Sequence, residues 1–188
     1  MSYLHYLCKK IIIILPKMES NTTIRLYSLG WREVRTYMFA VLFIVGNIVL
    51  PQLCHLFPQG GLMLLPIYFF TLIAAYKFGF RVGLLTAVLS PLINSAFFGM
   101  PPAAALPIIM IKGVLLAGAA AWMANRSKGA SLLALIAVVL AYQLVGGLIE
   151  WVMTGSLASA LQDWKLGYPG MLLQAFGGWL VLNYLLKK

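Results

Sequence analysis

The sequence predicts an all-α polytopic membrane protein, a bundle of six transmembrane helices with both termini on the cytoplasmic side. Three observations carry this. Of the 188 residues, 62% are hydrophobic and only 10% charged, with a mean hydropathy of +0.93; that excludes the polar surface of an ordinary soluble domain. The apolar residues gather in runs near the ~20 residues that a bilayer-spanning helix needs. The Lys and Arg residues fall between those runs with a strong side bias.

Taken in order, residues 1–34 read as an N-terminal extension and interfacial lead-in, and residues 35–188 as the membrane domain. Lys9 and Lys10 ahead of Ile11–Leu15 imitate a signal peptide, but Pro16 ends the apolar core too early and no small-residue cleavage site follows. Met1 to Lys17 is therefore expected to be dispensable, with Met18 an alternative start. The first span is expected at Tyr37–Leu53, after Arg25, Arg32 and Arg35. The second, Leu62–Tyr76, follows Gly60-Gly61, and the third, Val82–Phe97, is separated from it by Lys77-Phe-Gly-Phe-Arg81, so the pair is expected to form a hairpin. Ser90-Pro91 and Asn94 interrupt the third span, and Gly99-Met-Pro-Pro ends it. Proline is tolerated there when neighbours satisfy the carbonyl it frees. The fourth span is expected at Ala104–Ala124, the fifth at Ser131–Val152 and the sixth at Tyr168–Leu186.

With six spans, Lys77, Arg81, Arg126, Lys128, Lys187 and Lys188 share the side of the N-terminus, while the opposite side holds Lys165 beside Asp163. That bias makes both termini cytoplasmic. The three outer connections, Gln52–Gly61 with His55 and Phe57, Phe98–Ala103, and Thr154–Gly167 with Gln162, Asp163 and Trp164, are rich in glycine and proline and are expected to form a built lid.

Several function classes are excluded by what the residues lack. The formal charge of +10 is spread between apolar runs, not gathered into a patch interleaved with aromatics, so nucleic acid is not an expected partner. Cys8 and Cys54, His5 and His55 have no metal-ligand spacing. No phosphate loop, zinc motif or intramembrane carboxylate pair is present, and Ser90 has no candidate base. No enzyme activity and no cofactor are expected.

Candidate binding residues lie inside the spans. Lys112 sits eight residues into the fourth span, about 12 Å below its rim, where an unpaired ammonium costs ~2.5–3.5 kcal/mol. Two readings of it stay open: a structural pair with Glu150, or a cavity-facing cation that meets a negative or carbonyl group of a ligand. Gln143 and Gln174 each precede a double glycine, Gly146-Gly147 and Gly177-Gly178, and Glu150 continues the Gln143 face at i+7. The glycines read chiefly as packing positions. Asn94, Phe97, Lys112, Gln143, Glu150, Trp151 and Gln174 are thus expected to line a pocket in the outer half. Phe97, Phe98, Trp151, Trp164 and Tyr168 also suit an interfacial belt. Gly113, Ala117 and Ala121 form a packing stripe.

With those residues placed, the chain resembles the substrate-binding S components of energy-coupling-factor (ECF) vitamin transporters. The likeness rests on Phe78-Gly-Phe-Arg81-Val-Gly-Leu-Leu85, on Leu89-Ser-Pro-Leu92 leading to Phe98-Gly-Met-Pro-Pro102, and on Tyr168-Pro-Gly-Met-Leu-Leu-Gln174, and it covers roughly residues 35–188. The resemblance implies a subunit of an ABC-type importer that captures a vitamin or related micronutrient at the outer face of the cell (inner) membrane. It further implies docking on a membrane coupling subunit driven by two ATPases, for which Ala40, Lys77, Arg81 and Ala121 are the expected contacts. Two positions depart from the family. Ala40 is followed four residues on by Ile44, not by a second alanine, and Lys112 stands where related sequences often carry an acidic residue, which implies a different ligand or a different pairing. The alternatives are a membrane scaffold subunit of a cell-shape-type complex and a self-sufficient secondary carrier. A scaffold needs no polar cavity. A carrier needs a relay of acids and histidines, for which Lys112 and Glu150 are too few.

Overall fold

The computed structural model describes residues 26–56, 58–127 and 129–185. Expectations for Met1 to Lys17, Arg25, Phe57, Lys128 and the Leu186–Lys188 end lie outside the described residues. What is described is helical, with no strand. Five helical stretches are long and apolar enough to cross a membrane: Val34–Cys54, Gly60–Phe78, Phe80–Phe98, Ala103–Ser127 and Leu132–Thr154.

Helix α1, Val34–Cys54, starts after a turn in which Glu33 accepts a hydrogen bond from the Gly30 amide (2.7 Å) and Thr36 donates to the Gly30 carbonyl (2.6 Å). The second stretch was expected as one helix from Leu62, but it is broken into α2, Gly60–Leu64, and α3, Pro66–Phe78. Pro66 explains the break. It has no N–H to give, and its ring drives the preceding residue out of the helical region; Leu65 takes up a left-handed φ of 45°. Such a conformation costs a non-glycine residue about 1–2 kcal/mol, and burial of the Leu65 side chain offsets it.

The expected hairpin is present, with a single residue as its turn. Gly79 has φ 97°, a value glycine adopts without strain, and helix α4, Phe80–Phe98, starts directly after it. The two helices approach closely because Gly83 faces Ala75: a Cβ on Gly83 would lie 2.4 Å from the Ala75 Cβ. Helix α3 is the centre of the bundle, with every residue from Thr71 to Phe78 buried. α1, α4 and helix α5, Leu106–Ser127, pack around it. The small-residue face of α5 is buried as expected: Gly113, Ala117 and Ala121 turn inward with Ala120 and Ala124, and a Cβ on Gly113 would meet the Ala87 Cβ at 3.1 Å.

Helix α6, Leu132–Thr154, is capped by Ser131, whose hydroxyl accepts from the Ala134 amide (3.1 Å). After Gly155 come two short helices, α7 (Leu157–Ala160) and α8 (Gln162–Lys165). The last helical run covers residues 168–185. It opens as α9, Tyr168–Leu172, widens to π geometry over Leu173–Gly177, tightens at α10, Gly178–Leu180, and widens again over Val181–Leu185. This run packs on α2, α3 and α6.

Alternation of the helices gives the bundle two chemically different ends. One, the basic end, holds Arg32, Arg35, Lys77, Arg81 and Arg126 with Glu33, and the other holds Glu150 and Asp163 with Lys165. At the basic end, residues 26–31 lie along the α3–α4 turn. The Tyr27 amide donates to the Lys77 carbonyl (2.8 Å), Arg81 donates to the Leu29 carbonyl (3.0 Å), Lys77 sits over the Tyr27 ring, and Arg81 over that of Trp31. On the far side of the same end, the Tyr76 hydroxyl donates to the Gly129 carbonyl (2.7 Å), and Asn183 donates to that of Ala130 (3.0 Å).

Candidate functional site

The seven residues expected to share a pocket separate into three places. Lys112, Glu150, Gln143 and Gln174 gather between α5, α6 and the terminal run; Asn94 joins a different cluster; Phe97 and Trp151 face outward.

The first place is built around Lys112, which is 3% exposed. Its Nζ donates to Glu150 Oε2 (2.5 Å) and to Asp163 Oδ2 (2.7 Å). Helix geometry explains how an ammonium fits there. Lys112 lies on the inner face of α5 opposite Gly146 of α6, and a Cβ at Gly146 would stand 2.7 Å from the Lys112 Cγ, so the missing side chain makes room for the aliphatic stem. Glu150, one turn beyond Gly146, then receives the charged tip. Asp163 comes from α8, so the pairing ties the α6-to-α9 connection down onto the helices. The carboxylates are 14% and 17% exposed.

Asp163 is the partner that sequence reasoning missed. It stands 51 residues from Lys112, in an outer connection and not in one of the expected spans. The usable signal was that the chain has only four acidic residues and that a buried ammonium must find one of them.

Beneath the ion triad lies a layer of amides and phenols. Gln143 Nε2 donates to the Tyr142 hydroxyl (3.2 Å), and that hydroxyl donates to Gln174 Oε1 (2.8 Å). Gln174 reaches inward from the widened π turn Leu173–Gly177, a geometry found often at functional positions. Gly177 and Gly178 let that turn sit against Phe69 and Leu72, where Cβ atoms would come within 3.1 and 3.2 Å, so these glycines do serve packing. The Tyr68 ring lies 5.5 Å from that of Tyr142. Both phenols lie within electrostatic reach of Asp163, and Tyr68 also of Glu150. Tyr68 and Tyr142 were not among the expected site residues, because a tyrosine in an apolar run reads as core.

Among the described residues two atoms of this layer have no partner: Gln143 Oε1 and Gln174 Nε2, on side chains 1% and 0% exposed. Buried polar groups are nearly always paired. An acceptor at one end of this chain of hydrogen bonds and a donor at the other thus stand unpaired, as do Asn47 Oδ1 and Asn183 Oδ1 elsewhere in the bundle.

Asn94 belongs to a seam between α1, α3 and α4. It donates to the Asn47 carbonyl (2.9 Å), while Asn47 donates to Thr71 (3.0 Å) and Ser90 (3.1 Å), and Ser90 donates to the Thr86 carbonyl (2.6 Å). Interhelical bonds of this kind average about 0.6 kcal/mol in membranes, and here they hold three helices in register around Pro91. Phe97 is 80% and Trp151 46% exposed, which suits lipid contact at the helix ends. Of the residues expected to meet another subunit, Ala40, Lys77 and Ala121 are buried within the chain's own bundle, and Arg81 is half-buried under residues 29–31. Ala40 and Ala121 are buried where α1 and α5 pack on α3 and α4, and Lys77 lies on α3 itself, at the centre of the bundle.

Among the described residues no group of His, Cys, Asp and Glu could hold a metal ion. Compared with known protein families, curated proteins and solved structures, the chain matches none.

Proposed function

We propose that this chain is the substrate-binding subunit of an ECF-type ABC importer, a six-span protein of the cell (inner) membrane with both termini cytoplasmic. It captures a vitamin-like small molecule at the outer face and relies on a membrane coupling subunit and two ATPases for uptake. The observation that carries the reading is the buried polar layer at the end of the bundle holding the carboxylates. Four helical elements, α3, α5, α6 and the terminal run, converge there with the loop helix α8 on an ion triad, two phenols and two amides with unsatisfied atoms, and burying so many polar groups is costly for a protein whose task is only to pack against other subunits. The terminal run, residues 168–185, is the sixth span in this reading, and the concentration of Arg and Lys at the opposite end supports a cytoplasmic orientation for that end.

The test is to purify the chain from rich medium, look for a retained small molecule by native mass spectrometry, and reconstitute the same preparation into liposomes with proton or sodium gradients. The expected result is a retained molecule that is bound but not accumulated. No retained molecule would favour the scaffold, and gradient-driven accumulation would make the chain a secondary carrier. Topology is checked separately. With Cys8 and Cys54 replaced, single cysteines at Ser127 and Gln162 should label from opposite sides of the membrane; labelling of both from outside overturns the six-span orientation.

A further inference from the structure

The charges of the triad do not cancel. Lys112 brings one positive charge, Glu150 and Asp163 two negative ones. Lys112 uses one oxygen of each carboxylate, Oε2 and Oδ2. Among the described residues, Glu150 Oε1 and Asp163 Oδ1 accept no hydrogen bond. Lys165, on the same short helix as Asp163, is exposed and forms no ion pair that would neutralise the excess. The Tyr68 hydroxyl makes no hydrogen bond among the described residues, although it lies in the field of both carboxylates.

This arrangement reverses the sign expected from Lys112 taken alone. A ligand carboxylate approaching Lys112 would meet two protein carboxylates already in contact with it, and like charges brought together at a largely buried site are disfavoured. A cation would meet two carboxylate oxygens that accept no hydrogen bond among the described residues, an attractive contact. The amide layer adds a second, independent requirement, because Gln143 Oε1 and Gln174 Nε2 are buried and unpartnered, and a molecule that presents a donor and an acceptor satisfies both.

We propose that the site takes a small organic cation: a protonated amine or amidine, its charge against the free oxygens of Glu150 and Asp163 and its remaining polar groups against Gln143 and Gln174. The proposal rests on the reading of the chain as a substrate-binding subunit and adds the charge of the substrate. Lys112 is then a positioning residue, holding the two carboxylates together while leaving one oxygen of each free.

The probe set is benzamidinium, benzamide and benzoate, three ligands of one shape and three charges, titrated at fixed ionic strength against the full chain in nanodiscs, with thermal stability and calorimetry as readouts. Benzamidinium is expected to bind at least about tenfold more tightly than benzoate, and Asp163→Asn to remove about tenfold of the benzamidinium affinity while leaving the weak benzamide response in place. Glu150→Gln serves as the second variant should Asp163→Asn unfold. Preference for benzoate, or an equal response to all three, overturns the charge assignment and leaves the binding reading standing. No response to any probe, together with no co-purifying small molecule, overturns both.

Discussion

Lys112→Met is expected to lower the thermal unfolding midpoint of the purified chain by about 5–15 °C. Methionine keeps most of the stem volume against Gly146, so packing changes little, but the substitution leaves Glu150 and Asp163 facing each other with no cation between them. Removing one partner of a buried pair costs about 3–5 kcal/mol. The carboxylates here keep some contact with solvent, which screens them, so about 2–4 kcal/mol is the appropriate range, and for a chain of this size each kcal/mol moves the midpoint by roughly 2–4 °C. The control is the triple variant Lys112→Met, Glu150→Gln, Asp163→Asn, which removes all three charges and should recover most of the loss. A methionine variant within a degree of the parent would show that the triad does not form. A triple variant as unstable as the single one would show that the lysine stem, not its charge, was responsible.

Gly170→Ala is expected to be the most damaging single-methyl change in the terminal run. Its Cβ would lie 2.4 Å from both the carbonyl carbon and the oxygen of Leu64, and 2.9 Å from the Leu65 amide nitrogen. These are backbone atoms at the break between α2 and α3, already fixed by Pro66 and by the left-handed Leu65, so the neighbour cannot swing aside as a flexible side chain would. Overpacking of this kind costs about 1–3 kcal/mol or more, and retreat of the run would also withdraw Gln174, one turn on, from Tyr142. Gly118→Ala is the matched control: its Cβ would meet only the tip of the Phe80 ring at 3.9 Å, so the gain of about 0.5–1 kcal/mol for replacing a helical glycine should stand. Midpoints of the two variants, measured side by side, should move in opposite directions. Equal midpoints would mean that the terminal run does not rest on the α2–α3 break.

Much of the architecture is local and was therefore legible in the chain. The apolar runs, their lengths, the Gly79 turn between two basic residues and the Gly99-Met-Pro-Pro stop are properties of neighbouring residues, and the helices begin and end close to where those signals fall. The break at Leu65 was not read, because the apolar run from Leu62 continues across Pro66, the residue that causes it. Which face of each helix points inward was legible only where small residues marked it, as at Gly113, Ala117 and Ala121 of α5. In a soluble helix the polar stripe marks the outside; in a membrane helix lipid and protein interior are both apolar, so rotation about the axis leaves no hydrophobic period to read. That is why Phe97, close in sequence to Asn94, faces outward while Asn94 is buried, and why Trp151 turns away while Glu150 beside it turns in. The sequence by itself determined an all-helical chain with membrane-length apolar helices and one deep lysine that required compensation. Only the tertiary structure decided that the compensation comes from two carboxylates at once, one of them on a loop helix 51 residues away, because that contact depends on how α5, α6 and the terminal run are turned about their axes.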